Sequence, residues 1–133
     1  MPWPVGAEAM LSFLFRRRDA KLFPNDVYGD KLHAFAKRFA PLPDKALMTL
    51  SARFETRADA EAMAASQTNQ GHGVFLDHDE EADVDGVGNW CLDIDVTIAP
   101  THHELKRAVE RAEYDAKSYR GVTTGWSISQ WEE

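Results

Sequence analysis

Apolar and polar residues alternate along residues 47–55. Met48, Leu50, Ala52 and Phe54 fall on one side of an extended chain; Thr49, Ser51, Arg53 and Glu55 fall on the other. Period two with one apolar side predicts a strand with one buried and one solvated face. The alternation returns over about 89–98, where Leu92, Ile94, Val96 and Ile98 oppose Cys91, Asp93, Asp95 and Thr97. It returns again over 123–131, with Trp126 and Ile128 expected inward and buried, and Ser127, Ser129 and Trp131 outward. Residues 73–77, Gly-Val-Phe-Leu-Asp, predict a shorter strand.

Between these strands the period becomes helical. Thr56, with Asp59 three residues later, reads as a capping box. The helix it opens runs to about Thr68, with Ala58, Ala62, Ala65 and Met63 as its expected inner face and Asn69 and Gly71 as terminators. Pro100-Thr101 opens a longer helix over 102–118, with Leu105, Ala108, Val109, Ala112 and Ala116 as its stripe and Gly121 ending the connection. Near the start, Leu32, Phe35, Ala36 and Phe39 recur at helical spacing and predict a helix over 26–39, with Lys31, Lys37 and Arg38 on its other side. Pro41 and Pro43 stop it, because proline disfavours helical backbone in the residue before it. The chain therefore divides, in this reading, into an extension at 1–45 with one amphipathic helix and a domain at 46–133.

Strand, helix, strand, strand, helix, strand is the split β-α-β arrangement. It predicts an α+β fold, a four-stranded antiparallel sheet with helices on one face, and the N-terminal helix docked against it. The first and third strands are expected at the centre. Strands 73–77 and 89–98 pair as an antiparallel hairpin, and 47–55 is expected parallel to both of its neighbours, 89–98 and 123–131.

Charge changes what such a sheet is suited to meet. The 133 residues carry a net −7, unevenly spread: residues 1–45 sum to +3 and residues 46–133 to −10. An acidic domain repels phosphate backbones, which argues against direct nucleic-acid binding and favours a basic partner. The single cysteine, Cys91, permits no intrachain disulfide and suits a reducing compartment, so a cytoplasmic location is expected. The apolar run at 10–15 is far short of a membrane span, and Arg16-Arg17-Arg18 follows it rather than preceding it, unlike a secretion signal. A surface-lying anchor at 7–18 is the membrane alternative.

Several groups qualify as candidate chemistry. The acidic loop His78–Gly86 offers Asp79, Glu80, Glu81, Asp83 and Asp85 to a hard cation, but its spacing does not match a calcium loop, and Asp85-Gly86 reads as a hairpin turn. Asp93 and Asp95 share a strand face roughly 6.5–7 Å apart. That separation suits acid–base work, but an ion pair with Arg53 on the neighbouring strand is the simpler expectation. His33, His72, His78, His102 and His103 have no zinc-site spacing and are expected on the surface. Cys91 has no histidine at a motif spacing. Phe75 and Trp131 on the open face suggest base stacking, which Asp77, Asp93 and Asp95 oppose. No catalytic residue, metal ligand or cofactor is assigned.

Certain residues carry a family resemblance. They are the opening strand with Phe54, the helix Ala58–Met63 leading to Gly71, Gly88-Asn-Trp-Cys-Leu92, Pro100-Thr101 and Gly125-Trp126. Over roughly 46–131 the chain resembles the ribonuclease E inhibitors called RraB, regulator of ribonuclease activity B. That family closes on Tyr-Asp-Gly-Trp, where this chain reads Thr123-Thr124-Gly125-Trp126; its acidic tail is absent and the 45-residue preface differs. The resemblance implies a ferredoxin-like fold and a non-enzymatic regulator that binds a ribonuclease E-like enzyme and modulates RNA decay. The partner-binding residues expected are Asp77, Asp79, Glu80, Glu81, Asp83, Asp85, Asp93, Asp95 and Trp131. Homodimerisation is another use of a bare sheet face. The alternative function is a small enzyme or ligand-binding protein using Asp93, Asp95 and Cys91.

Overall fold

Met48, Leu50, Ala52 and Phe54 are all buried, so the first strand puts its apolar side wholly inside. A computed structural model describes residues 18–81 and 86–131. Its elements are α1 (Val27–Arg38), β1 (Ala46–Phe54), α2 (Arg57–Asn69), β2 (Gly73–His78), β3 (Trp90–Ile98), α3 (His102–Ser118) and β4 (Val122–Gln130). The β-α-β-β-α-β order builds one four-stranded sheet in the spatial order β2-β3-β1-β4. Leu92, Ile94, Val96 and Ile98 of β3 join the β1 residues beneath the helices.

The expected neighbours of β1 are correct, but their direction is not. β1 runs antiparallel to both β3 and β4, and β2 runs antiparallel to β3. Each crossover helix does return the chain parallel to the strand it left. In each case, however, a strand from the other half lies between the two, so every adjacent pair is antiparallel. A bulge at Thr124 interrupts the β1–β4 ladder, since Ser51 faces Gly125 and Ala52 faces Thr123.

Each helix opens on a side-chain cap. Asp26, Thr56 and Thr101 accept hydrogen bonds from the backbone N–H three residues on, at 2.8, 3.1 and 3.3 Å. α2 closes on Gly71, whose φ of +87° suits glycine, with Gly71 N–H bonded to Thr68 O and His72 N–H to Gln67 O.

The inner face of α2 differs from the alanine face expected. Ala58, Ala62 and Ala65 are exposed, and the buried stripe is Ala60, Met63 and Gln67, with Ala64 packed beside it. These positions recur at i, i+3, i+4 and i+7, but the last is polar, so an apolar count shifts the stripe by two residues. Gln67 Nε2 donates to Asp115 of α3 at 2.8 Å, and this pair is the only buried polar or charged one among the described residues. Hydrogen bonding makes such burial tolerable.

α1 docks where its stripe predicts. Leu32, Phe35 and Ala36 enter the same buried cluster as the sheet. Asp26 also meets His102 Nε2 at 2.8 Å, tying the start of α1 to the start of α3. Tyr28 stacks on Trp126, ring centroids 5.6 Å apart at 17°. Trp126 is half-buried rather than buried. It lies on an edge strand, so Tyr28 and the Lys31 ammonium, 6.0 Å from its centroid, cover it instead of the sheet core. No described helix is long and apolar enough to cross a membrane. The anchor considered at 7–18 falls almost entirely outside the described residues.

Candidate functional site

The face of the sheet turned away from α2 and α3 is paved by the second side of each strand. The registers align Phe75, Asp93, Ser51 and Gly125 in one row from β2 to β4, and Gly73, Asp95, Thr49 and Ser127 in the next. Asp77, Cys91, Arg53 and Val122 form a third. Each of the first two rows thus has a glycine at one end: Gly73 lies beside Asp95, while Phe75 lies beside Asp93 and Gly125 closes that row on β4.

Asp93 and Asp95 are half-buried and take their hydrogen bonds from hydroxyls. Ser51 Oγ donates to Asp93 Oδ1 at 2.6 Å, and Thr49 Oγ1 donates to Asp95 Oδ1 at 2.7 Å. The expected ion pair with Arg53 does not form at either residue. The register sets Arg53 opposite Cys91 instead, and its guanidinium reaches Asp79, Nη2 to Oδ2, at 2.9 Å.

Asp79 is therefore partly structural. It accepts the Glu81 N–H at 2.9 Å as well as Arg53. These bonds, the backbone one first, hold its carboxyl below the usual carboxylate range. The loop is also anchored by Asn89, which donates to Glu81 O at 2.8 Å and accepts Asp79 N–H through its backbone at 2.8 Å. Glu80, Glu81 and Asp77 are exposed. Asp83 and Asp85 lie outside the described residues.

The structure gathers Asp77, Asp93 and Asp95 on the β2–β3 half, around a Phe75 ring that is 66% exposed. Trp131 does not join them. It follows β4 at the opposite edge, three strand spacings or about 14 Å from β2 and two from β3, with the Lys45 ammonium 4.9 Å from its ring centroid. Cys91 is a half-buried free thiol whose Sγ lies 3.8 Å from Asn89 O. Ser51 and Thr49 are the site residues that sequence reasoning left unassigned. Their signal was the alternation itself, which already put them on the face of Asp93 and Asp95.

The histidines are less superficial than expected. His78 and His103 are exposed, whereas His33, His72 and His102 are half-buried. His72 Nδ1 lies 2.8 Å from Gln67 Oε1, and the His33 ring packs 5.0 Å from Phe23. Among the described residues, no three His, Cys, Asp or Glu side chains are grouped to hold a metal ion. Four grooves open among the described residues, between α1 and β4, between α2 and α3, beside Trp90 and along α3, and Asp93, Asp95 and Cys91 line none of these four.

These features define a β-α-β-β-α-β protein whose sheet face turned away from α2 and α3 carries, among the described residues, carboxylates, hydroxyls and one prominent aromatic. The chain belongs to the RraB family, regulator of ribonuclease activity B, whose family model matches residues 41–128. Comparison with curated proteins gives no significant match.

Proposed function

We propose that this chain is a non-enzymatic regulator that binds a basic region of a ribonuclease E-like enzyme through the open face of β2 and β3. The observation that carries this reading is the acidic surface of Asp77, Asp93 and Asp95 around the exposed Phe75. Carboxylates steer a basic partner inward, and an exposed aromatic supplies the anchor such an interface needs. Asp79, Glu80 and Glu81 extend the same charge along the hairpin, and Asp83 and Asp85 continue it in sequence. A regulator of this kind occupies the enzyme's RNA-binding region in place of RNA. Family membership supports the ribonuclease partner. That Asp93, Asp95 and Cys91 line none of the four grooves favours a macromolecule over the small-molecule reading through these residues, since small ligands require concave sites.

The test is association kinetics with a purified ribonuclease E-type enzyme at two ionic strengths. Wild type is compared with the double variant Asp93→Lys and Asp95→Lys, its fold checked by circular dichroism. The association rate of wild type is expected to fall as salt rises, and the variant is expected to bind more weakly and with less salt dependence. Unchanged affinity in the folded variant removes this face from the interface.

A further inference from the structure

Residues 127–130 of β4 line a groove of about 660 Å3 whose opposite wall is α1. Successive side chains of a strand point to opposite faces. Four consecutive residues border one space only where that space opens onto the strand's edge. β4 is the last strand in the order β2-β3-β1-β4, so among the described residues this edge carries backbone N–H and C=O groups without a neighbouring strand. The exposed stretch is roughly 13 Å long.

The groove has an apolar floor and a cationic rim. Phe35, Phe39 and Ile128 supply the floor, Leu47 borders it from β1, and Lys31 and Arg38 supply the rim. Lys31 lies over Trp126, and the Arg38 guanidinium lies 5.3 Å from the Phe39 ring centroid. Neither cation belongs to any of the ion pairs among the described residues. A positive rim on a chain of net charge −7 is a local reversal of sign.

We propose that this groove accepts an extended acidic peptide segment of another protein, added to β4 as a fifth strand. Backbone pairing along 127–130 supplies the affinity, alternate apolar side chains enter between Phe35, Phe39 and Ile128, and the intervening carboxylates meet Lys31 and Arg38. The groove sits at the opposite edge of the sheet from Phe75 and carries the opposite charge. The proposal therefore stands independently of the ribonuclease reading.

The test is a nuclear magnetic resonance titration of the full-length chain. The probes are a seven-residue peptide alternating glutamate with valine and its counterpart with lysine in place of glutamate. The acidic probe should shift the backbone amides of Ser127–Gln130, and the basic probe should not. Affinity for the acidic probe should fall about tenfold in the double variant Lys31→Glu and Arg38→Glu. Ala34→Trp, at an exposed position of α1 bordering the groove, should block the probe sterically while leaving both cations. Shifts confined to other surfaces, equal binding of the two probes, or unchanged affinity in both folded variants would overturn the proposal. So would concentration-dependent shifts at 127–130 without any peptide, which assign the groove to a second copy. Contacts from the Phe13 or Phe15 ring to Ile128 in the free chain would overturn it as well, by assigning the groove to the chain's own N-terminal residues.

Discussion

Replacing Gln67 by leucine should destabilise the protein far more when Asp115 is present than when it has also been replaced. Gln67 is 1% exposed and Asp115 8%, and they meet at 2.8 Å. A hydrogen bond to a charged group contributes about 1.5–3 kcal/mol, and the second bond, which Gln67 Oε1 accepts from His72 Nδ1–H, adds about 0.5–1.5 kcal/mol. Leucine recovers about 1 kcal/mol by burying more apolar surface. Asp115 keeps only longer bonds, from Gln70 Nε2 at 3.4 Å and Arg111 Nε at 3.4 Å. The net loss expected for Gln67→Leu is about 2–3 kcal/mol, or about 6–10 °C in melting temperature for a chain of this size. Asp115→Leu alone strands the Gln67 amide and should cost about 1–3 kcal/mol. The double variant replaces both partners by apolar groups and should lie within about 1 kcal/mol of wild type. Urea unfolding of the four proteins at pH 7.5 closes the cycle, with an expected interaction energy of at least about 2 kcal/mol. If the two single losses simply add, Gln67 and Asp115 are not a coupled pair and the reasoning fails.

Trp126→Ala should cost only about 1–2 kcal/mol, because the ring is half-buried and chiefly loses its stack on Tyr28; chemical denaturation showing about 4 kcal/mol would mean that the ring belongs to the core proper. Burial lowers the His72 pKa from its ordinary 6.5, outweighing the opposing pull of the Asp115 carboxylate, so the folded state resists protonation while the unfolded chain takes up a proton near that value. Stability attributable to His72 is then complete above about pH 6.5 and is lost as the pH falls toward the folded pKa; urea midpoints from pH 7.5 to 5 should decline less in His72→Gln than in wild type. Removing residues 1–40 should uncover the surface that Leu32, Phe35 and Ala36 bury, and should produce aggregation visible by light scattering; equal solubility and stability of the truncated chain would make α1 an independent appendage.

Strand identity and facing were legible in the sequence because period two admits only one buried side. Met48, Leu50, Ala52 and Phe54 in β1, and Leu92 to Ile98 in β3, needed nothing beyond their order along the chain. The helices of residues 102–118 and 26–39 were equally plain, since their apolar stripes are unbroken and each begins at a capping side chain. The family resemblance, read over roughly 46–131, overlaps most of the stretch that the family model matches, 41–128. The candidate site was half legible: alternation put Asp93 and Asp95 on the open face, but their hydrogen-bond partners follow from cross-strand register.

Register is a property of two segments at once, which is why Arg53 found Asp79 while Ser51 and Thr49 took the two carboxylates. The direction of neighbouring strands was decided by which strand lies between the two that a crossover joins. The inner face of α2 was decided by Asp115, a partner forty-eight residues away that makes Gln67 acceptable inside. The groove between α1 and β4 belongs to neither element alone: its floor, its cations and its open strand edge meet only because Leu32 and Phe35 anchor α1 in the core beside the last strand. Period and capping act over a few residues and can be read along the chain. Register, strand order and helix docking are settled by contacts between residues far apart in sequence, and only the folded structure holds those.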